Sequence, residues 1–508
     1  MGFVDIPEAQ TQKDYTIDFL TDGNLALFAS SGFGKSFTLG TIMTTLAVKN
    51  SPELLNYYIV DLGNSALIPY MNLPHTADYM NFDAVEKLVK FMKLMEDTIK
   101  ECKKLLALAM VQNYETYNQM HEDDPLKAII VFVDNYDVVK ELGMDFEGFI
   151  MRLSRDGFGL GIYVVLTATR TNAIRYATLN NFKNKIAHYL YDKAEINAIV
   201  GRSQYDIPEI KGRSLIKLEN INIMQVYTPF LFEDNVEFIQ KLKDYIQQIK
   251  DVYKGQPLKG IPVLPEVFTS DQFNQYNSEE NVEIKLGLCV QEVVTVDANI
   301  KGSPYVIIGP QKSGKTNTLE LLMNQMINEG ECHIFDSPEM RLYKYSKQDN
   351  VNYVSTDEEL QDFVDDIYTE IEERREAFQE AMRQGSDMQG FYDQFPSVTV
   401  FIDETDAFVA KMEQKYKGFG TTLKEACTMG VKVIATASAS KLKGFDELTK
   451  MFKVVNYGLV LGNQGTTTIF PIKSVKEYPN FGKGLLFDNG EYRRILIPKY
   501  VETKEDKA

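Results

Sequence analysis

Two octapeptides in this chain of 508 residues have the residue types and spacing of a phosphate cradle. The first runs Ala29-Ser30-Ser31-Gly32-Phe33-Gly34-Lys35-Ser36, and the second Gly309-Pro310-Gln311-Lys312-Ser313-Gly314-Lys315-Thr316. Glycines let the backbone curl until its N–H groups converge on an anion. A helix beginning there adds positive potential, and the lysine neutralises the outer phosphate oxygens. The hydroxyl of Ser36 or Thr316 is then placed to ligate Mg2+. At average residue usage, one such octapeptide arises by chance in a chain of this length with odds on the order of a few per cent. Two of them, each between an apolar run and a stretch of helical spacing, point to nucleotide binding at both. Ala29 replaces the leading glycine, so the first loop departs further from the pattern.

The elements that must hold these loops repeat as well. Each loop follows a short buried-strand pattern, Leu25 to Phe28 and Tyr305 to Ile308. Each is followed by a continuous apolar run ending in an acid: Ala128 to Asp134, then Asn135, and Val398 to Asp403, then Glu404. Lys315 follows Lys35 by nearly the same interval as Asp403 follows Asp134, so a whole domain is duplicated. Apolar runs of this kind are central parallel strands buried on both faces, and open α/β sheets bind ligands at the carboxyl ends of such strands. Tyr57 to Asp61 and His333 to Asp336 read as the strand after the first helix of each unit, and Gly161 to Ala168 and Gly430 to Ala437 as the strand after the acidic one. Gly212-Arg213-Ser214-Leu215 echoes Gly482-Lys483-Gly484-Leu485. The expected fold is α/β: two tandem P-loop domains, 1–262 and 263–508, each a mainly parallel sheet flanked by helices.

Phosphoryl transfer to water needs charge neutralisation, a metal and a group that orients or deprotonates the water. The second unit offers Lys315, with Thr316 and Asp403 for Mg2+ and Glu404 as the water-activating carboxylate. In the first unit Lys35, Ser36 and Asp134 can hold ATP and Mg2+, but Asn135 cannot accept a proton. That unit is expected to bind nucleotide and hydrolyse it poorly or not at all.

Composition narrows the partners. The formal charge of −18 opposes a grip on a nucleic-acid backbone, which needs basic surface. No apolar run approaches the ~20 residues of a membrane span. Cys102, Cys289, Cys332 and Cys427 are scattered and read as reduced, buried thiols. His75, His121, His188 and His333 are isolated along the sequence, which speaks against a histidine-based metal site. The acidic run Asp357 to Glu376 carries Phe363, Ile367 and Ile371 at helical spacing and reads as a helix with a solvated face. Asn235 to Tyr253 reads as a closing helix, followed by an extended connector from Lys254 to Pro265 that lies on a domain surface. Ile284 to Val296 reads as a strand pair covering the second sheet, and the charged end after Tyr500 as frayed.

The order of motifs resembles FtsK/SpoIIIE-type, RecA-like ATPase domains. Leu94 to Met110 with Gln112-Asn113-Tyr114 and Tyr117-Asn118, and Ile371 to Phe378 with Glu373-Arg374-Arg375, are similar to that family's helix before the acidic strand. Val164 to Arg170 resembles its following strand, with Thr169 where the family's glutamine is expected, while Ile434 to Ser438 lacks both glutamine and arginine. The tandem arrangement, the Ile261-Pro-Val-Leu-Pro265 connector and the acidic balance resemble the C-terminal pair of the EssC/EccC coupling ATPases of type VII secretion.

That resemblance implies a fragment of a larger, membrane-anchored parent at the cytoplasmic face, with another ATPase domain upstream, working as a hexamer. An arginine finger would come from a neighbouring subunit. It also implies secreted helical proteins as substrates, their C-terminal signal docking on residues 263–508. Two other readings stand beside it: a DNA translocase of the FtsK type, opposed by the charge and by the lack of a DNA-reading module after Gly482, and a nucleotide-stabilised binding module with little hydrolysis.

Overall fold

The computed structural model describes residues 1–300, 304–385, 388–438, 440–462 and 482–501. Its contacts divide the chain into two compact units, Met1–Ile261 and Pro262–Ala508. The charged end expected to fray lies, from residue 502 on, outside the described residues.

In the first unit the strand carrying the phosphate loop, Leu25–Phe28, is central because all four of its residues are apolar and buried. Alternate side chains enter opposite cores: Ala26 and Phe28 on one face, Leu25 and Leu27 on the other. It is flanked by Asn184–His188 and Ile162–Ala168, and the parallel series continues through Ala128–Asp134, Leu55–Asp61 and Thr76–Asn81. Beyond Asn184–His188 the direction reverses. Arg213–Lys217, Ile221–Val226, Gly2–Ile6 and Thr11–Tyr15 follow, all antiparallel. Helices Lys35–Lys49 and Asn235–Val252 cover one face, burying Leu39, Met43, Leu242 and Ile246. Helices Val85–Leu108 and Phe146–Asp156 cover the other with Leu88, Phe91, Phe149 and Ile150.

The second unit has the same ten-strand order, position for position. Tyr457–Leu461, Tyr305–Ile308, Lys432–Ala437, Ser397–Ile402, Gly330–Phe335 and Val351–Tyr353 form the parallel series. Lys483–Asp488, Glu491–Leu496, Lys285–Cys289 and Thr295–Asp297 form the antiparallel flank. The strand pair expected from Ile284 to Val296 to cover the sheet exists, and it does so by extending the sheet at its edge. The first unit builds the same edge from residues 2–15. The acidic run forms helix Asp357–Gln384, with Phe363, Ile367 and Ile371 buried as their spacing requires. Residues 253–264 have no regular secondary structure, and the Ile261 side chain is buried in the first unit's core. All four cysteines are free and buried.

Candidate functional site

Each phosphate loop turns into its helix at a glycine in the left-handed region, Gly34 (φ 99°) and Gly314 (φ 101°). A Cβ on Gly314 would meet nothing within 4 Å, so the loop bends around open space. The first loop has a second such glycine, Gly32 (φ 87°), whereas the second loop places Lys312 there (φ 63°). An L residue in this region is strained by roughly 1–2 kcal/mol. In return, a cation stands at the loop's rim.

The lysines curl back onto their own loops. Lys35 Nζ donates to Ala29 O at 2.7 Å, and Lys315 Nζ to Gly309 O and Pro310 O at 3.1 Å each. Burial lowers the pKa of both ammonium groups, opposed by Asp134 in the first unit and by Asp403 and Glu404 in the second. A negatively charged phosphate is the kind of partner that a half-buried ammonium resting on carbonyl oxygens would take.

The acidic strands bring the remaining groups together. Asp134 is buried and accepts from Ser36 Oγ (2.6 Å) and Thr167 Oγ1 (2.5 Å). Asp403 accepts from Thr316 Oγ1 (3.1 Å) and Thr436 Oγ1 (2.7 Å). Burial pushes the Asp134 carboxyl up, and the hydroxyls of Ser36 and Thr167 act against it. A carboxylate beside a Ser or Thr hydroxyl at a helix start is an all-oxygen donor set, and it fits Mg2+.

The residue after each aspartate is turned by the backbone. Asn135 (φ 61°) and Glu404 (φ 62°) both occupy the left-handed region, which a Glu rarely adopts. What holds them is the threonine one strand over: Asn135 N donates to Thr167 Oγ1 and Glu404 N to Thr436 Oγ1, each at 2.9 Å. The same hydroxyl therefore satisfies the strained N–H and donates to the aspartate. Sequence reading passed over Thr167 and Thr436, because threonine within an apolar run is also an ordinary strand former.

Around this shared frame the two sites differ. In the second unit a cavity of about 300 Å³ is lined by Lys315, Thr316, Asp403, Glu404, Lys312 and Arg341. Arg341 comes from the loop after Asp336, whose carboxylate accepts from Ser337 N (2.8 Å) and Leu342 N (2.7 Å). Asp61 holds the equivalent loop of the first unit through Gly63 N and Leu67 N, and that loop carries Ala66 where the second unit has Arg341. Lys441 Nζ lies 3.8 Å from Glu404 Oε2 and 3.2 Å from Asp406 Oδ2. In the first unit the counterpart of Asp406, Asp137, accepts from Thr169 N at 2.8 Å and from Thr169 Oγ1. The first loop is also roofed by aromatic rings, with Phe33 4.6 Å from Tyr189 and 6.1 Å from Tyr191.

Every residue that the sequence placed in the sites is brought to one of these two clusters or to the loop beside it. Arg341, Lys441, Asp61 and Asp336 were not expected there. They stand on loops and strand ends, where no local periodicity marks a role.

Residues 2–204 match the FtsK/SpoIIIE family. The chain is 32% identical over 509 residues to the ESX secretion system protein EccC of Geobacillus thermodenitrificans, covering 98% of this chain and 34% of that protein. It thus spans about a third of the length of the curated relatives it matches. The solved structure of EssC (ATPases 2 and 3) from Geobacillus thermodenitrificans superposes with a TM-score of 0.87 at 31% identity, covering 98% of this chain and 96% of that one. Thermomonospora curvata EccC (ATPases 2 and 3), solved in complex with a signal sequence peptide, shares the fold at 18% identity and a TM-score of 0.56, covering 99% of this chain and 92% of that one. Two phosphate loops on duplicated sheets and these likenesses together lead to one assignment: the chain belongs to the FtsK/SpoIIIE family of P-loop ATPases, within the EssC/EccC group of type VII secretion proteins.

Proposed function

We propose that this chain binds ATP with Mg2+ at both phosphate loops, hydrolyses it in the second unit only, and couples nucleotide state to the export of small helical proteins. The observation that carries the reading is Glu404, fixed at the strand end by Thr436 and beside a cavity floored by Lys315, Thr316 and Asp403. When bound, Mg2+ neutralises phosphate charge as the γ-phosphoryl group departs. Thr316 and Asp403 would hold it in the second unit, and Ser36 and Asp134 in the first. Lys315 exchanges its loop carbonyls for phosphate oxygens, and Glu404 accepts the proton of the attacking water. Lys441, which sits against Glu404 and Asp406, must yield for that carboxylate to do so.

In the first unit, Asn135 offers the water an amide, and its Nδ2 is turned to Leu62 O at 3.3 Å. Nucleotide there is retained instead of consumed. The test is turnover and nucleotide retention in Lys35→Ala and Lys315→Ala, made separately. Lys315→Ala should abolish turnover, and Lys35→Ala should release nucleotide while leaving turnover largely intact. Turnover that follows Lys35 would reverse the assignment.

The rest of the reading follows from the resemblance to type VII secretion ATPases. The parent would be membrane-anchored with these domains at the cytoplasmic face, and copies would assemble as a hexamer in which a neighbour supplies an arginine. The solved EccC complex with a signal sequence peptide supports substrate docking on this pair of domains. In the second unit a cavity of about 460 Å³ is lined by Thr421, Lys424, Lys450, Met451 and Val454, on and just beyond helices Phe419–Thr428 and Glu447–Lys453. Its size suits one or two apolar anchors of a helical tail. Photo-crosslinking of a signal peptide to the full chain, mapped by mass spectrometry, should label this region, and labelling confined to residues 1–261 would overturn the placement.

A further inference from the structure

We propose that Glu331, His333 and Asp366 form a site for one divalent transition-metal cation of the zinc class in the second unit. Glu331 and His333 are two apart on strand Gly330–Phe335, so both side chains leave the same face of the sheet. Helix Asp357–Gln384 packs on that face, with the Phe363 ring 5.1 Å from the His333 ring, and delivers Asp366 one turn further on. One donor atom from each of the three lies within 4.8 Å of the others. His333 Nε2 and Glu331 Oε1 are 3.7 Å apart, near the roughly 3.4 Å that two ligands about 2.1 Å from a tetrahedral ion would have.

The second observation is the state of the imidazole. His333 is 1% exposed, and neither ring nitrogen has a hydrogen-bond partner among the described residues. Buried polar groups are nearly always satisfied, and one left so usually marks a missing partner. A cation fits where a neutral donor would not, because Asp362, Asp365 and Glu370 add negative charge around Asp366. Asn352 Nδ2 donates to Glu331 Oε1 at 2.6 Å, the outer support that ligating carboxylates commonly have. A cavity of about 440 Å³ bordered by Asn352, Asp362 and Asp366 opens the site to solvent and could supply a water as fourth ligand.

The duplicated unit serves as an internal control. Asn56 and Tyr58 occupy the strand positions of Glu331 and His333, and Tyr58 packs on Phe91 at 5.2 Å where His333 meets Phe363. Leu94 stands after Phe91 at the same spacing as Asp366 after Phe363. The fold therefore does not need these three polar groups. One imidazole with two carboxylates suits first-row metals such as zinc, whereas Mg2+ prefers oxygen ligands and keeps its waters. The site's strand residues lie about 10–16 Å along the chain from Asp336, toward the end away from the phosphate loop. Its effect would be to tie the long helix to the sheet.

The full chain, stripped with chelator and held in excess Mg2+ to occupy the phosphate-loop sites, is titrated with Co2+ and read by visible absorption, with Zn2+ as competitor. One equivalent should bind and be displaced by zinc. His333→Tyr, which copies the first unit, and Asp366→Asn, which leaves the helix packing intact, should each weaken binding by at least about tenfold, as loss of even an outer partner does. Zinc should raise the thermal midpoint of the wild-type chain and not that of Asp366→Asn. Unchanged affinity in both variants would place the ion elsewhere, and no binding up to millimolar Co2+ would leave His333 as a buried imidazole packed on Phe363.

Discussion

The two units have one architecture and two sets of side chains at the strand ends. Ten strands come in the same order, each phosphate loop closes at a left-handed glycine, and each aspartate accepts from the helix-start hydroxyl and from a threonine one strand over. Even the strained position after the aspartate is kept, at φ 61° and 62°. What differs sits on top of this frame: Asn135 against Glu404, Ala66 against Arg341, and the Thr169–Asp137 bond against the Lys441 ion pair. The difference teaches that the two units share their backbone and buried hydroxyls, whereas the side chains to which we assign hydrolysis vary on an unchanged frame. On the proposed reading, a unit can keep its cradle without the residues for hydrolysis.

The largest expected effect tests that division directly. Glu404→Gln should lower any ATP turnover by about 10²–10⁴-fold, the usual cost of losing a group that accepts the water's proton. Asn135→Asp, with its shorter arm, should change turnover little. Loss of turnover in the Asn135 variant with survival in Glu404→Gln, measured by phosphate release, would invert the roles of the units.

A second contrast lies in the long helices. Arg374 is 1% exposed and donates to Glu370 Oε2, Met429 O and Pro396 O at 2.7–3.0 Å, tying its helix to two loops. Counting from the matched Phe363 and Phe91, the first unit has the buried Cys102 at this position, packed with Leu106 and Tyr117. Arg374→Met should destabilise the second unit by about 3 kcal/mol, since two buried carbonyls and a carboxylate lose their donor. Cys102→Ala should cost the first unit about 1 kcal/mol. Denaturant titration read by hydrogen exchange within each unit separates the two.

The third contrast is a histidine. His188 is fully buried beside Thr38, and burial, with the Lys35 charge, pushes its pKa down to about 4, whereas Leu461 fills the matching place in the second unit. The unfolded chain binds this proton more readily than the folded one. The resulting stability is present above pH 6.5 and lost as pH falls toward 4. The loss should reach about 2 kcal/mol by pH 5. His188→Leu should remove that slope from hydrogen exchange in strand Asn184–His188. A slope that persists would assign it to carboxylates.

The last contrast concerns the shared threonine. Thr436→Val keeps the shape but leaves the Glu404 N–H and one Asp403 oxygen without their hydroxyl, at a cost of about 1–3 kcal/mol. Thr167→Val should cost the first unit a similar amount. Similar losses in stability with a loss of turnover only for Thr436→Val would show the frame and the chemistry separating at one residue.

Much of this was legible in the sequence, for physical reasons. Short apolar runs rich in β-branched residues, such as Ala128 to Asp134, read as strands buried on both faces, and the loops announce themselves through glycine and lysine at fixed spacing. Residues 2–15 were not legible as an edge hairpin, because their partner strand, Ile221–Val226, lies near the opposite end of the unit's sequence and nothing local encodes that pairing. Arg341 and Lys441 were missed for the same kind of reason: their loops are carried to the site by topology alone. The histidines looked isolated because the groups around His333 come from a strand neighbour and from a helix well downstream of it in the chain.

That edge pairing has a consequence for the order in which the chain assembles. Gly2 pairs with Val226, across most of the first unit's sequence, whereas the parallel strands of the same sheet all lie within residues 25–188. Contacts that close so long a loop form late, since their entropy is lost before any interaction repays it. The nucleotide cradle should therefore consolidate while the hairpin of residues 2–15 is still waiting for strand Ile221–Val226. Meanwhile Phe3, Val4 and Ile6 stand on a strand paired on one side only, with Thr11–Tyr15, and Lys13 and Asp14 on that neighbour give the finished edge charge that discourages pairing with another chain. Pulsed hydrogen exchange during refolding should show amides in 25–28 and 128–134 protected before those in 2–6.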